Sequence, residues 1–388
     1  METKTAKAKR KPKQGGVGFL QSGKMDISFF ALVCILLTTG LLMLFSASYA
    51  YALAYFGNSY HFIVKQLIFA VAGFIIMLLV SKINYKIYRK FAWLIYGLSV
   101  VMLAVLLILP PMVPGATQKR WMVIGPINFQ PSEIAKFAVI LLFSHLIAAN
   151  YKSMEKFSFG ILTLGGLLGL VCGLVVVETH LSATILIFLI GVCLMIVGGI
   201  KARYIVGGVG VGFGGAAILI VSGVVSYGSD RIAYWLNPWA DASGKGYQTI
   251  QSLLAIGSGG ILGRGFGLSR QKYLWVPEPH NDFIFAIVCE ELGLVGAMII
   301  ILLFCALVWR GFIIAMRAPD KFGALMAVGL TFQVGIQAVL NILVVTNTVP
   351  NTGISLPFFS YGGTALILLL AQMGVVLSIS RSCSLEKT

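Results

Sequence analysis

The chain of 388 residues holds 13 acidic side chains against 29 Lys and Arg, so each carboxylate can be weighed singly for chemistry. Asp282 is the most informative. It closes the run Pro277-Glu278-Pro279-His280-Asn281-Asp282, and the apolar run Phe283-Ile284-Phe285-Ala286-Ile287-Val288 follows at once. A carboxylate thus stands where an apolar helix begins, and two readings fit that place. Asp is a favoured helix N-cap, and a carboxylate at a water–lipid boundary can equally serve as a general base. An Asn in its place would keep the cap and lose the proton acceptor. Glu290 and Glu291 lie roughly 12–13 Å further along such a helix. An acid inside a membrane span is costly and marks a functional site by default; the structural alternative is a buried polar network that ties helices together. Glu178, beside Thr179 and His180, admits the same two readings.

Two further segments carry polar groups into apolar surroundings. Gln130-Pro131-Ser132-Glu133-Ile134-Ala135-Lys136 has Pro near the first helical position and Glu in the first turn, a helix-start pattern. Glu133 and Lys136 are spaced to pair within the helix. Lys136, facing a shared cavity, would also hold a phosphate, and Arg120 upstream is either a second cation for it or a lipid-headgroup contact. Residues 350–364 carry no charge and are punctuated by Pro and Gly, ending in Pro357-Phe358-Phe359-Ser360-Tyr361-Gly362-Gly363. Irregular backbone at membrane depth is tolerated only where protein or water surrounds it, so this segment is either re-entrant and lines a cavity or is a plain surface loop. Gly263-Arg264-Gly265-Phe266-Gly267 has the look of a phosphate loop, but no strand precedes it, and it is not read as a nucleotide site.

The elements that must position these groups follow from composition. Hydrophobic residues make up 58% and charged ones 11%, against roughly 25% charged in a soluble domain, which excludes an ordinary soluble protein and a disordered chain. Apolar stretches near 27–50, 62–81, 91–110, 132–149, 158–177, 181–200, 204–226, 283–309, 322–346 and 362–380 each approach the ~20 residues that cross ~30 Å of hydrocarbon as helix. The fold expected is all-α: a polytopic membrane protein with ten transmembrane helices over residues 27–380. A basic tail (1–26) and a short tail (381–388) flank them, and a long extracellular loop (227–282) joins helices 7 and 8. That loop carries an amphipathic stretch at 247–256 and the aromatics Trp235, Trp239, Tyr273 and Trp275, and is expected to fold against the outer membrane surface. The seventh stretch is crowded with glycine, which allows close helix contact.

Net charge is +16. Lys82, Lys86, Arg89, Lys90, Lys152, Lys156, Lys201, Arg203, Arg310, Arg317 and Lys321 fall on one set of short loops, as the positive-inside rule requires of cytoplasmic ones. The charge therefore reads as topology with both termini cytoplasmic, and not as a nucleic-acid surface. Six cysteines without Cys-x-x-Cys and four scattered histidines indicate neither a disulfide framework nor a zinc cage.

Taken together, Gln130-Pro131-Ser132-Glu133, Pro279-His280-Asn281-Asp282-Phe283-Ile284-Phe285 with Glu290-Glu291-Leu292-Gly293, and Pro357-Phe358-Phe359-Ser360-Tyr361-Gly362-Gly363 resemble the SEDS family of bacterial cell-wall proteins from about residue 26 onward. Gly267-Leu268-Ser269-Arg270-Gln271-Lys272-Tyr273 looks more like the division branch and its sporulation relative than the elongation branch. The chain departs from the family pattern at Asn281, where Thr or Ser is frequent, and at Glu178-Thr179-His180-Leu181-Ser182. The resemblance implies a peptidoglycan glycosyltransferase that polymerises lipid II for septal wall synthesis, with Asp282 as the essential acid. It further implies a divalent cation (Mg²⁺ or Mn²⁺) held mainly through substrate pyrophosphate with Asp282 as protein ligand, a class B penicillin-binding protein as partner, and other division-complex proteins. The substrate-binding set expected is Arg120, Gln130, Glu133, Lys136, Lys272, His280, Glu290, Glu291, Ser360, Tyr361, Gly362 and Gly363. A lipid-borne donor needs an apolar groove, cations at headgroup level and one base, and the residues alone supply all three. A precursor transporter using Glu178, Glu290 and Glu291 as an ion relay is the alternative from another class; the chain shows no inverted repeat of the kind such machines carry.

Overall fold

In the computed structural model the described residues are 19–385 without 22, 111, 113–119, 126, 202, 205–206, 209, 211–232 and 245. Among them, eight helices are long and apolar enough to cross a membrane. They comprise α1 (Ile27–Phe56), α2 (His61–Lys82), α3 (Ala92–Ile108, preceded by a 3₁₀ segment from Tyr85), α4 (Pro131–Ala149) and α5 (Gly166–Val177, preceded by a π turn over Ser158–Gly165). After α6 (Leu181–Val197), a shorter apolar helix, and α7 (Tyr247–Gly259), which is amphipathic, come the spans α8 (Ile284–Met316), α9 (Lys321–Val345) and α10 (Gly363–Leu385). A β-hairpin (β1 Met122–Ile124, β2 Ile127–Phe129) precedes α4. The all-helical polytopic class is as the composition requires. The expected seventh span at 204–226 and the basic tail lie almost wholly outside the described residues.

Why these segments settle where they do is visible in their ends. Asp26 caps α1 by accepting from Phe29 N–H, Asp320 caps α9 by accepting from Gly323 N–H, and Pro131 opens α4. The centre of the bundle is α4 and α9, whose residues are mostly buried, whereas α2, α3 and α8 turn leucines and isoleucines outward in the manner of lipid-facing helices. Where helices approach closely, small residues permit it: a Cβ on Gly363 would meet the Phe69 ring at 2.2 Å, and one on Gly40 would meet the Phe358 carbonyl at 2.3 Å. At one end of the bundle, opposite the site described below, Arg310 grips the Asp26 carboxylate at 2.7 Å and ties α8 to α1.

Helix α8 has 33 residues, roughly 50 Å at 1.5 Å per residue, which exceeds what a bilayer core demands. It is interrupted at Gly293, where φ 67° and ψ −168° leave the helical region. Residues 294–316 alone provide about 34 Å, enough to span, so residues 284–292 form a separate short helix beyond the span. About 28 Å of chain at helical rise separates Arg310 from Glu291. The break also explains the glycine run after α7. An interrupted helix leaves orphan carbonyls and amides, and residues 260–265 satisfy them. Arg264 and Gly265 N–H donate to the Glu290 and Glu291 carbonyls, while Leu294 and Val295 N–H donate to the Gly260 and Ile261 carbonyls. A Cβ on Gly263 would lie 2.2 Å from the Glu291 carbonyl, so the strap needs glycine there. The described part of the long loop is therefore folded onto the side of α8 through α7 and this strap.

Candidate functional site

Residues 350–362 leave α9 and enter the bundle before α10 begins. Ile354, Leu356, Phe358 and Phe359 are buried, and Phe358 holds a left-handed backbone (φ 67°) against Gly40 of α1. The segment is re-entrant and surrounded by protein, and the surface-loop alternative is excluded. With α4, α9 and the start of α10 it lines a small open cleft of about 40 Å³ whose polar wall is Glu133, Gln333, Gln337, Ser355 and Ser360. The apolar wall includes Leu366 and Leu369. Tyr361 and Gly362 also line it.

The polar wall is built by helical spacing. Glu133, in the first turn of α4, holds Lys136 Nζ at 2.8 Å, and the same ammonium donates to Gln337 Oε1 at 3.2 Å. Lys136 is 1% exposed, so its charge is fixed behind the wall and not projected into solvent. Gln337 Nε2 in turn donates to the Ser355 carbonyl at 3.0 Å. One turn further along α9, Asn341 Nδ2 donates to both the Ile354 and the Asp282 carbonyls, at 2.6 and 2.7 Å. Gln333, Gln337 and Asn341 recur every fourth residue on one face of an apolar helix, a signal present in the sequence that the motif reading passed over.

Asp282 joins the cleft through its loop. Ser360 Oγ donates to the Asn281 carbonyl and Tyr361 N–H to the His280 carbonyl, each at 2.8 Å, and Gly353 lies against the Asp282 carboxylate, so that a Cβ there would be 3.1 Å from Oδ2. The half-buried carboxylate is therefore stitched to the residues that wall the cleft. Helix α8 begins at Ile284 with Phe283 at its cap position, one residue after Asp282. His280 is buried against Phe62, with ring centroids 4.1 Å apart, and against Tyr51 and Tyr361. That burial drops its imidazole to about 4.

The other expected residues divide. Gln130 sits at the α4 cap position without a side-chain cap bond, and Gly363 packs α10 on α2. Arg120 donates to the Thr179 carbonyl and opposes the rise of the Glu178 carboxyl. Burial nonetheless lifts Glu178 to about 8 and holds the neighbouring His180, which meets Ser132 Oγ at 3.3 Å, down to about 3.

Glu290, Glu291 and Lys272 are not brought to the cleft. Glu291 accepts from Ser46 Oγ at 2.6 Å and from Lys272 Nζ at 3.0 Å, while Lys272 also donates to the Gly267 carbonyl. Glu290 accepts from Ser269 Oγ at 2.5 Å and from the Arg270 and Gln271 amides, with Arg264 Nε 3.6 Å away. All three side chains are sealed, 0–3% exposed, because their charges and polar atoms satisfy one another. The structure thus takes them out of the expected substrate-contact set and realises the polar-network alternative. Among the described residues no three His, Cys, Asp or Glu side chains gather. The half-buried Asp282 carboxylate beside the cleft is a hard oxygen donor of the kind a divalent cation takes alongside phosphate oxygens.

Comparison with known proteins agrees with this arrangement. A family model described as "Cell cycle protein", for FtsW, RodA and SpoVE, matches residues 26–385. Stage V sporulation protein E of Bacillus subtilis (strain 168) is 38% identical over 362 residues, 92% of this chain and 97% of its own. The "Probable peptidoglycan glycosyltransferase FtsW" of Geobacter metallireducens is 35% identical over 359 residues, 92% of this chain and 95% of its own. Among solved structures, the rod shape determining protein RodA of Thermus thermophilus superposes with a TM-score of 0.67 at 25% identity, covering 92% of this chain and 97% of its own. A chain from a peptidoglycan synthase complex, reported under "Structural coordination of polymerization and crosslinking", reaches 0.74 at 27% identity and covers 92% and 98%. Nearly the full length is matched, and the chain belongs to the FtsW/RodA/SpoVE family of cell cycle proteins.

Proposed function

We propose that this multi-pass membrane protein is a peptidoglycan glycosyltransferase that polymerises lipid II at the outer face of the cytoplasmic membrane, with Asp282 as general base. One observation carries the reading: the loop bearing Asp282 is bonded to the re-entrant segment that walls a polar cleft opening among apolar helices. A lipid-linked donor meets both needs there, with its tail against apolar faces such as Leu366 and Leu369 and its polar head at the Glu133 and Gln337 wall. Asp282 accepts the proton of the acceptor's sugar hydroxyl as that oxygen bonds to the donor's anomeric carbon and the bond to pyrophosphate breaks. Such proton transfer contributes about 10²–10⁴ in rate. With Asp282 as base and the other cleft carboxylate, Glu133, paired with Lys136, direct displacement with inversion is the simpler course.

Lys136 is the cation behind the cleft wall, Arg120 is bonded to the Thr179 carbonyl, and Lys272 is committed to Glu291. A divalent cation, when bound, would neutralise the leaving pyrophosphate, with Asp282 as its protein ligand. Septal use, cytoplasmic termini, a class B penicillin-binding protein partner and further division proteins belong to the same proposal. They are supported by the division and sporulation relatives, by the structural likeness to a synthase complex and by the loop charges. The transporter alternative loses its relay, since Glu290 and Glu291 are locked by Ser269, Ser46 and Lys272. Purified full-length protein with its transpeptidase partner, lipid II and Mg²⁺ or Mn²⁺ should yield β-linked glycan strands, and Asp282→Asn should yield none. Strands from both proteins would overturn the base assignment, and net retention at the anomeric carbon would overturn the single displacement.

A further inference from the structure

The break at Gly293 has a mechanical consequence. Because residues 284–292 are a helix apart from the spanning half of α8, the membrane span does not by itself fix where Asp282 stands. The short helix is held instead at its two ends. Its upper end is fastened by Asn341 to the Asp282 carbonyl, Ser360 to the Asn281 carbonyl and Tyr361 to the His280 carbonyl. Its lower end carries Glu290 and Glu291, two carboxylates at a helix C-terminus, where the dipole already concentrates negative charge. They are tolerated because Lys272, Arg264, two hydroxyls and the Ser269, Arg270 and Gln271 amides close around them.

The Ser46 hydroxyl of α1 completes this clasp, donating to Glu291 and accepting from Lys272 at 3.1 Å. The chain then runs from Lys272 back up to Asp282 through Leu274 and Glu278, both in the left-handed region (φ 67° and 45°) that such residues rarely adopt. The connection is held along its length by its own turns, by Gln248 on the Pro277 carbonyl and by the buried Val276, and the clasp anchors its lower end.

We propose that Lys272, Glu291 and Ser46 form a positioning device that sets the register of the short helix, and with it the place of Asp282 over the cleft. The proposal rests on the glycosyltransferase reading and deepens it, adding positioning residues that never touch substrate. Loss of the clasp lets the helix slide or rotate while the cleft itself, built from α4, α9 and residues 350–362, keeps its shape. A slip of one residue is about 1.5 Å along the axis, and an error of ~1 Å between reacting groups costs on the order of 10²-fold in rate.

The test uses full-length protein in lipid nanodiscs with lipid II and compares wild type, Glu291→Gln, Lys272→Met, the double variant and Ser46→Ala, with Asp282→Asn alongside. Glu291→Gln and Lys272→Met should each lower kcat by about tenfold to hundredfold while KM stays within about threefold, the pattern of lost transition-state geometry rather than lost substrate binding. The double variant should be no worse than either single, because the two residues act as one unit. Ser46→Ala, which leaves the ion pair, should show a smaller loss of the same kind. Hydrogen exchange should quicken over residues 264–272 and 284–292 and stay unchanged over 294–316.

Unchanged kcat, a change confined to KM, additive losses in the double variant, or quickened exchange spread into 294–316 would each overturn the proposal. An inert wild type or a fully active Asp282→Asn would instead overturn the parent reading, and the exchange pattern would still decide whether the clasp holds the helix.

Discussion

Two carboxylate–ammonium pairs of the bundle have opposite characters. Glu133 and Lys136 meet at 2.8 Å, Glu291 and Lys272 at 3.0 Å, and all four sit in an apolar bundle. The side chain of Glu133 is 17% exposed and forms a cleft wall beside Gln333, whose Oε1 is buried without a hydrogen-bond partner. Glu291 is 0% exposed in its side chain, and both its oxygens are bonded. Residue type and spacing are alike, yet one pair keeps unmet polar capacity next to open volume and the other has none left. The contrast separates a binding wall from a fastening: open, under-satisfied polar groups await a ligand, while closed ones hold structure.

Substitutions can break that contrast from either side. The largest effect is expected at Asp282, as set out above. Next is Lys136→Met, which removes the cation behind the cleft wall and leaves Glu133 unopposed. KM for lipid II should rise about tenfold to hundredfold, the value of a lost charge-assisted bond of about 1.5–3 kcal/mol, and a KM within twofold of wild type would show that the pair serves only to fix α4. Smaller again is a paired stability comparison by thermal unfolding in detergent. Ser269→Ala removes one of two donors to a sealed, charged Glu290 oxygen and should cost about 1–3 kcal/mol. Gln333→Met removes an orphaned acceptor together with a donor to the buried but neutral Gln372 Oε1, so its cost should stay below that of Ser269→Ala. Equal costs would erase the distinction between the two regions.

How much of this was readable in the residues differs for the same two regions. The start of α4 was legible because local rules govern it: Pro131 opens the helix and Glu133 pairs with Lys136 one turn on, whereas the capping by Asp26 and Asp320 was not read from the residues. The re-entrant segment was legible as one of two options because uncharged Pro-rich backbone has few places to go in a membrane. The clasp was not, since Ser46, Lys272 and Glu291 come from three distant parts of the chain and nothing near Glu291 says which partner seals it. Nor was the break at Gly293, one glycine among 44, whose positive φ depends on a strap that reaches it from residues 260–265. The Asp282 motif pointed to a loop that the structure bonds to the cleft wall, with Phe283 rather than Asp282 next to the first residue of α8.

The smallest expected effect lies at the corner between α5 and α6, where a third polar cluster tests whether burial alone makes a site. Burial lifts the Glu178 carboxyl from its ordinary 4.5 to about 8, against the pull of Arg120. The folded protein therefore keeps a proton that the unfolded chain gives up, so stability falls as pH rises from about 4.5 to about 8 and is level beyond. His180, held at about 3 by burial and by Arg120 and Lys136, and His280, held at about 4 by burial, act the other way: their contribution is full above 6.5 and is lost as pH falls. Below 6.5 the two trends offset each other. Between about 6.5 and 8 the carboxyl stands alone, so wild type should lose melting temperature across that window and Glu178→Gln should not. A flat wild-type curve, or an equal slope in the variant, would mean that Glu178 ionises in the fold with Arg120 as its partner, which would make this corner a closed pair like Glu291 and Lys272 rather than an unfinished one.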